Sequence, residues 1–153
     1  MARRNILTTE NDEAYLRLLS KPVEVFDEKL HQLLDDMLET MVEANGIGLA
    51  APQVGMLKRV FIVSDGEPDG EVIEFINPKI IKTSGQIIKE EGCLSIPGQT
   101  AEVARPKRLV VQAQNRHGEF FIVKTTDLLT CAAICHELDH LNGVLYIDKV
   151  VTK

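Results

Sequence analysis

The chain has 153 residues, 44% of them hydrophobic and 26% charged, so disorder and fibrous repeats are excluded as its main description. With 17 Lys and Arg against 23 Asp and Glu the formal net charge is −6, which argues against nucleic-acid binding through a general basic field. No apolar run approaches the roughly 20 residues that a helix needs to cross a bilayer, and three cysteines are too few, and odd in number, for a disulfide framework.

The opening Met1 to Leu7 is basic, but Glu10, Asp12 and Glu13 follow it instead of the apolar stretch of a signal peptide. The expectation is a cytoplasmic protein with reduced thiols, folded as a single domain over residues 1–153. Asp27 to Asn45 is the clearest helix. Leu30, Leu33, Leu34, Met37, Leu38, Met41 and Val42 recur at steps of three and four, with Asp27 as N-cap and Asn45-Gly46 as the stop. Gly46 to Gly55 then reads either as a helix stop followed by a tight turn or as a loop of small residues against which substrate backbone could lie, with Gln53 able to donate to a developing oxyanion. Its Gly-x-Gly lacks both the third glycine and the preceding strand of a dinucleotide fingerprint.

Short segments rich in β-branched and aromatic residues come next: Val60–Val63, Val72–Ile76, Ile80-Ile81, Gln86–Ile88, Leu109–Val111 and Phe120–Val123. Asp65-Gly66, Asp69-Gly70, Asn77-Pro78, Ser84-Gly85 and His117-Gly118 read as the turns between them. No helix alternates with these strands, which predicts mostly antiparallel sheets and an α+β fold. A second long helix is predicted from about Leu128 to Asn142, with Asp127 as its cap and Gly143 past its end.

That second helix carries His136-Glu137-Leu138-Asp139-His140, an instance of His-Glu-x-x-His. Histidines four apart project from one helix face and can reach one metal ion, while Glu137 is close enough to touch a coordinated water without being a ligand. At about 100° per residue from Cys131, His136 and His140 fall near about 140° and 180°, with Leu129 and Ala133 beside them. Ile134, Leu138, Leu141 and Leu145 form an apolar stripe on another side, so the helix is enclosed and its histidines face a pocket. Cys131 and Cys135 lie roughly 140° from the histidine pair, which suits small buried hydrophobes better than ligands. Hydrolytic sites normally carry three protein ligands. The best third candidate is Cys93 in Glu91-Gly92-Cys93-Leu94-Ser95; spacing alone does not bring it to the histidines, and a buried structural Cys at a strand end fits the same pattern.

Three segments in this order, Gly46-Ile47-Gly48-Leu49-Ala50-Ala51-Pro52-Gln53, Glu91-Gly92-Cys93-Leu94-Ser95 and His136-Glu137-Leu138-Asp139-His140, resemble the motifs of peptide deformylase. The likeness extends to Asn77-Pro78, Val103-Ala104-Arg105-Pro106 and Leu141-Asn142-Gly143, from about Pro22 onward. The resemblance implies mostly antiparallel sheets packed around a central metal-binding helix, with an N-terminal amphipathic helix. It implies that Cys93, His136 and His140 bind the metal, that Glu137 is the general acid/base, and that Gln53 and the backbone N–H of Leu94 stabilise the oxyanion. Ile47, Gly48 and Gly92 would hold the substrate backbone, Leu129 and Ala133 would line the methionine pocket, and Arg105 with Asp139 would brace the metal helix.

The implied reaction is removal of formate from the formyl-methionine of new polypeptides by a divalent ion, natively Fe²⁺, with Zn²⁺, Ni²⁺ or Co²⁺ able to occupy the site. Implied partners are N-formylmethionyl peptides and nascent chains, with transient ribosome contact, no membrane and no direct nucleic-acid readout. Two departures stand out. Ala132 and Ala133 are small and would widen the side-chain pocket, and only 13 residues follow His140, too few for the C-terminal helix of many bacterial members. The nearest rival, a zinc endopeptidase sharing His-Glu-x-x-His, usually takes a third ligand from a downstream Glu or His, and none follows His140 here.

Overall fold

The computed structural model describes residues 2–64 and 71–151. Among the described residues the elements are three helices, seven strands and two 3₁₀ turns: α1 (Thr9–Leu16), α2 (Glu28–Glu43), β1 (Gly48–Ala50), a turn at Ala51–Val54, β2 (Val60–Ser64), β3 (Val72–Ser84), β4 (Ile87–Cys93), β5 (Ile96–Arg105), β6 (Arg108–Gln114), β7 (Phe120–Thr125), α3 (Leu128–Leu141) and a turn at Tyr146–Lys149. A five-stranded sheet has the order β1-β2-β3-β6-β7, and β4 with β5 makes a separate hairpin. Every pairing between these strands is antiparallel, the α+β arrangement that the sequence predicts.

Alternation along β2 explains how both long helices are used. Val60 and Ile62 pack with Leu30, Leu33, Leu34, Met37 and Met41 of α2. Phe61 and Val63 point the other way, with Phe75, Leu109 and Val111, against Cys131, Ile134 and Leu141 of α3. Successive strand residues face opposite sides, so a strand buried throughout its length has an apolar layer on each face. A third cluster, Leu16, Ile96, Val103, Leu145 and Tyr146, joins the hairpin to the turn after α3.

Both predicted caps are present: Asp27 accepts the Leu30 N–H at 3.1 Å, and Asp127 accepts that of Thr130 at 2.9 Å. Several boundaries differ from the sequence reading. Val42, placed in the apolar stripe of α2, is 62% exposed, so it stands at the stripe's outer margin. Asn77-Pro78 is no turn: Val72–Ile76 and Ile80-Ile81 are parts of the single strand β3, whose register shifts there while Asn77 takes φ +51°. The Asn77 amide makes that conformation tenable by bonding both backbone groups of Val23 and the side chain of Gln114. The segment after α2 contains β1 and a 3₁₀ turn. Neither β5 nor α1 was anticipated: Pro-Gly-Gln-Thr-Ala-Glu breaks the apolar pattern of β5, and α1 buries one residue, Leu16. The expected turns at Asp65-Gly66 and Asp69-Gly70 lie outside the described residues.

Candidate active site

Four pieces of chain converge on one cavity of about 520 Å³: the α2–β1 connection, the 3₁₀ turn at Ala51–Val54, the β4–β5 hairpin and one face of α3. The β4 strand ends at Cys93, and α3 supplies His136 and His140 one helical turn apart. Cys93 Sγ lies 3.3 Å from His140 Nε2, and potential ligand atoms of Cys93, His136 and His140 all fall within 4.8 Å of one another. The structure therefore brings Cys93 to the histidines. It leaves Cys131 apart, buried with its thiol directed to the Lys107 and Thr125 carbonyls. Cys135 is buried on the far side of α3, and burial pushes its thiol up to about 11.

Glu137 is 5% exposed, and its Oε1 has no hydrogen-bond partner among the described residues. Burial, first among several influences, raises its pKa to about 7. A carboxyl that titrates near neutrality can accept and return a proton with little driving force lost in either direction. Gly48 lies against this carboxylate: a Cβ there would stand 2.6 Å from Glu137 Oε2. The residue thus has a steric duty that its expected contact with substrate backbone did not suggest.

His136 is anchored by a residue that the sequence reading passed over. Its Nδ1 lies 3.0 Å from Glu91 Oε1, and Glu91 accepts from Arg105 Nε at 2.6 Å and Nη2 at 2.8 Å. Arg105 Nη1 continues to Asp139 Oδ2 at 2.8 Å, the ion pair expected from the motifs. Burial pushes the Glu91 pKa up, but the hydrogen bonds and charges of Arg105 and His136 outweigh it and hold the group at about 2. An ionised acceptor on Nδ1 fixes the ring's orientation and leaves Nε2 to point at the cavity. Alternation along β4, which puts residues 91 and 93 on the same side, was the available signal.

Burial, then the positive charges of His136 and Arg105, lower the His140 pKa to about 3, so this imidazole is neutral, the form that ligates. His136 goes the other way: burial lowers it, but Cys93, Glu137 and Glu91 raise it well above the ordinary value. The site is electrostatically suited to a cation beside His136. A thiol, two imidazoles and a surrounding carboxylate frame match a borderline divalent ion.

Gln53, 1% exposed, is fixed by its Oε1 accepting the Ala50 N–H at 2.9 Å. Its amide nitrogen then lies 3.0 Å from Ser95 Oγ and 3.7 Å from Cys93 Sγ. Ile47, Gly48, Gly92 and Leu94 line the cavity beside it, and Leu129, Ala132 and Ala133 form its wall on α3. Among the described residues no helix is long and apolar enough to cross a membrane.

Comparison with known proteins shows the family. The family model described as polypeptide deformylase matches residues 4–153, which carries the likeness well upstream of Pro22, where the motifs had placed its start. The peptide deformylase of Acetivibrio thermocellus is 54% identical over 142 residues, 93% of this chain and 81% of that protein. That of Alkaliphilus metalliredigens is 50% identical over 151 residues, 99% of each. The crystal structure of peptide deformylase from Thermotoga maritima superposes with a TM-score of 0.91 at 37% identity, covering 99% of this chain and 100% of that one. A full-length match in sequence and in fold means that the chain belongs to the polypeptide deformylase family.

Proposed function

We propose that this chain is a metal-dependent hydrolase that removes the N-terminal formyl group from the formyl-methionine of newly synthesised polypeptides and releases formate. Family membership supports the reaction. The observation that carries the assignment of residues is the convergence of Cys93, His136 and His140 beside the buried Glu137, whose Oε1 has no hydrogen-bond partner among the described residues.

Cys93, His136 and His140 would hold the cation, with Fe²⁺ as the native ion and Zn²⁺, Ni²⁺ or Co²⁺ as alternatives that the same donors accept. Such an ion supplies Lewis acidity to water and to the formyl carbonyl. Glu137 takes the proton from the attacking water, whose oxygen adds to the formyl carbon. Gln53 Nε2 and the Leu94 N–H face the oxygen on which negative charge develops, where preorganised donors act most strongly. The C–N bond then breaks, and Glu137 returns its proton to the methionine nitrogen, which leaves as an amine. Ile47, Gly48 and Gly92 hold the peptide backbone, and the methionine side chain lies along Leu129 and Ala133. Arg105 and Glu91 act through His136 by fixing its ring.

The whole chain acts as one catalytic domain, because α3, the hairpin and the α2–β1 connection each contribute to the site. Its substrates are formylated nascent chains in the cytoplasm, met either through transient contact with the ribosome or free in solution. Formate release from formyl-Met-Ala-Ser, run beside cleavage of casein, tests the reading. Formate without casein cleavage is expected, and the reverse pattern would point to an endopeptidase.

A further inference from the structure

Tyr146 opens the 3₁₀ turn after α3 and is 1% exposed. Its ring stacks on His136, with centroids 5.9 Å apart and planes at 28°. Its hydroxyl donates to the Gln99 carbonyl at 3.0 Å. One side chain therefore touches a proposed ligand on one side and the hairpin on the other.

The stretch of hairpin that it reaches is the part least able to hold itself. Glu91 pairs with Ala101 and Cys93 with Ile96, so Gly92 alone stands opposite Pro97, Gly98, Gln99 and Thr100. Residues in such a bulge are left out of the ladder. All four are exposed, and Gly98 has φ +79°. Yet Pro97, Gly98 and Gln99 line the cavity together with Gly92. The Gln99 carbonyl lies against Gly92, where an added Cβ would stand 3.4 Å from its oxygen.

We propose that Tyr146 is a positioning residue whose hydroxyl pins the 97–100 bulge as the wall for substrate backbone beyond the formylated methionine. The inference rests on the deformylase reading of this site and names the part of the substrate that Tyr146 serves. The reacting atoms meet Cys93, His136, His140 and Glu137, none of which the hydroxyl touches. Its loss frees the Gln99 carbonyl to turn towards water, so the wall shifts while the chemistry stays in place. An interaction felt equally by bound substrate and transition state appears in KM and not in kcat.

Tyr146→Phe keeps the ring on His136 and removes only the donor. The test measures kcat and KM of both proteins on formyl-Met-Ala-Ser and on formyl-methionine amide, together with metal content and calorimetric affinity for the product Met-Ala-Ser. One neutral hydrogen bond predicts a KM for formyl-Met-Ala-Ser raised about threefold to fivefold, with kcat within about twofold and the short substrate unaffected. Met-Ala-Ser affinity falls by the same factor, and metal content is unchanged. Equal losses on both substrates, a fall in kcat with KM fixed, or a variant that matches wild type on the tripeptide would each overturn the proposal. Wild-type protein that releases no formate would instead refute the deformylase reading, and Met-Ala-Ser calorimetry would still judge the role of Tyr146.

Discussion

Glu137 is buried beside the Cys93, His136 and His140 cluster, with one carboxylate oxygen unpartnered among the described residues and the other against Gly48. Removing its side chain takes away the proton carrier and none of the proposed ligands. Glu137→Ala is therefore expected to keep its metal by elemental analysis while formate release falls by at least about 100-fold. Gly48→Ala is expected to lower formate release with circular dichroism unchanged, because the new methyl group and Glu137 Oε2 cannot share the space. Glu91→Ala leaves Nδ1 of His136 without its acceptor and is expected to weaken metal binding about 10–100-fold in a chelator competition. At this scale the motifs named residues, Gln53 and Cys93 among them, that the structure places around one cavity. The sequence was silent on the Glu137–Gly48 packing, which depends on two segments meeting across the fold, and for Glu91 alternation along β4 marks the side it shares with Cys93 but not the His136 ring it meets.

Helix α3 carries most of the proposed chemistry, and its start is held by Asp127, whose carboxylate accepts from both the backbone N–H and the hydroxyl of Thr130. Asp127→Ala is expected to destabilise the protein by about 1 kcal/mol. Thermal melting should register this as a loss of ~2–4 °C in Tm, with formate release nearly unchanged at 25 °C. Both long helices were legible because caps and apolar periodicity agree. Strands were legible where β-branched residues cluster, as in β2 and β7. The bulge in β3 was not, since Asn77-Pro78 has the composition of a turn and only its contacts with Val23 and Gln114 reveal a strand that continues. The polar β5 was hidden for the opposite reason: Ile96 and Ala101–Arg105 are held by their ladder with β4, which the composition of the stretch between them does not announce.

Across the whole molecule, the N-terminal segment is tied to α2 through Asp36, 4% exposed. Burial opposes ionisation of this carboxyl. The Ala2 N–H at 2.7 Å, Gln32 at 2.6 Å and Arg4 at 2.9 Å overcome that opposition, and its pKa lies below the ordinary value. A lowered folded-state pKa contributes stability that is present above the unfolded value of about 3.9 and lost as pH falls through the folded one. Denaturation midpoints should therefore show wild type ahead of Asp36→Asn at pH 7, with the gap closing as the pH drops below about 4. A gap that persists unchanged at pH 2 would contradict this account of Asp36.

The account as a whole turns on Cys93 of the hairpin and two histidines of α3 holding one cation together. Elemental analysis of protein purified without oxygen, wild type beside Cys93→Ala, tests that claim most directly. One divalent ion per chain in the wild type and almost none in the variant is the predicted result, and full occupancy in Cys93→Ala would contradict it.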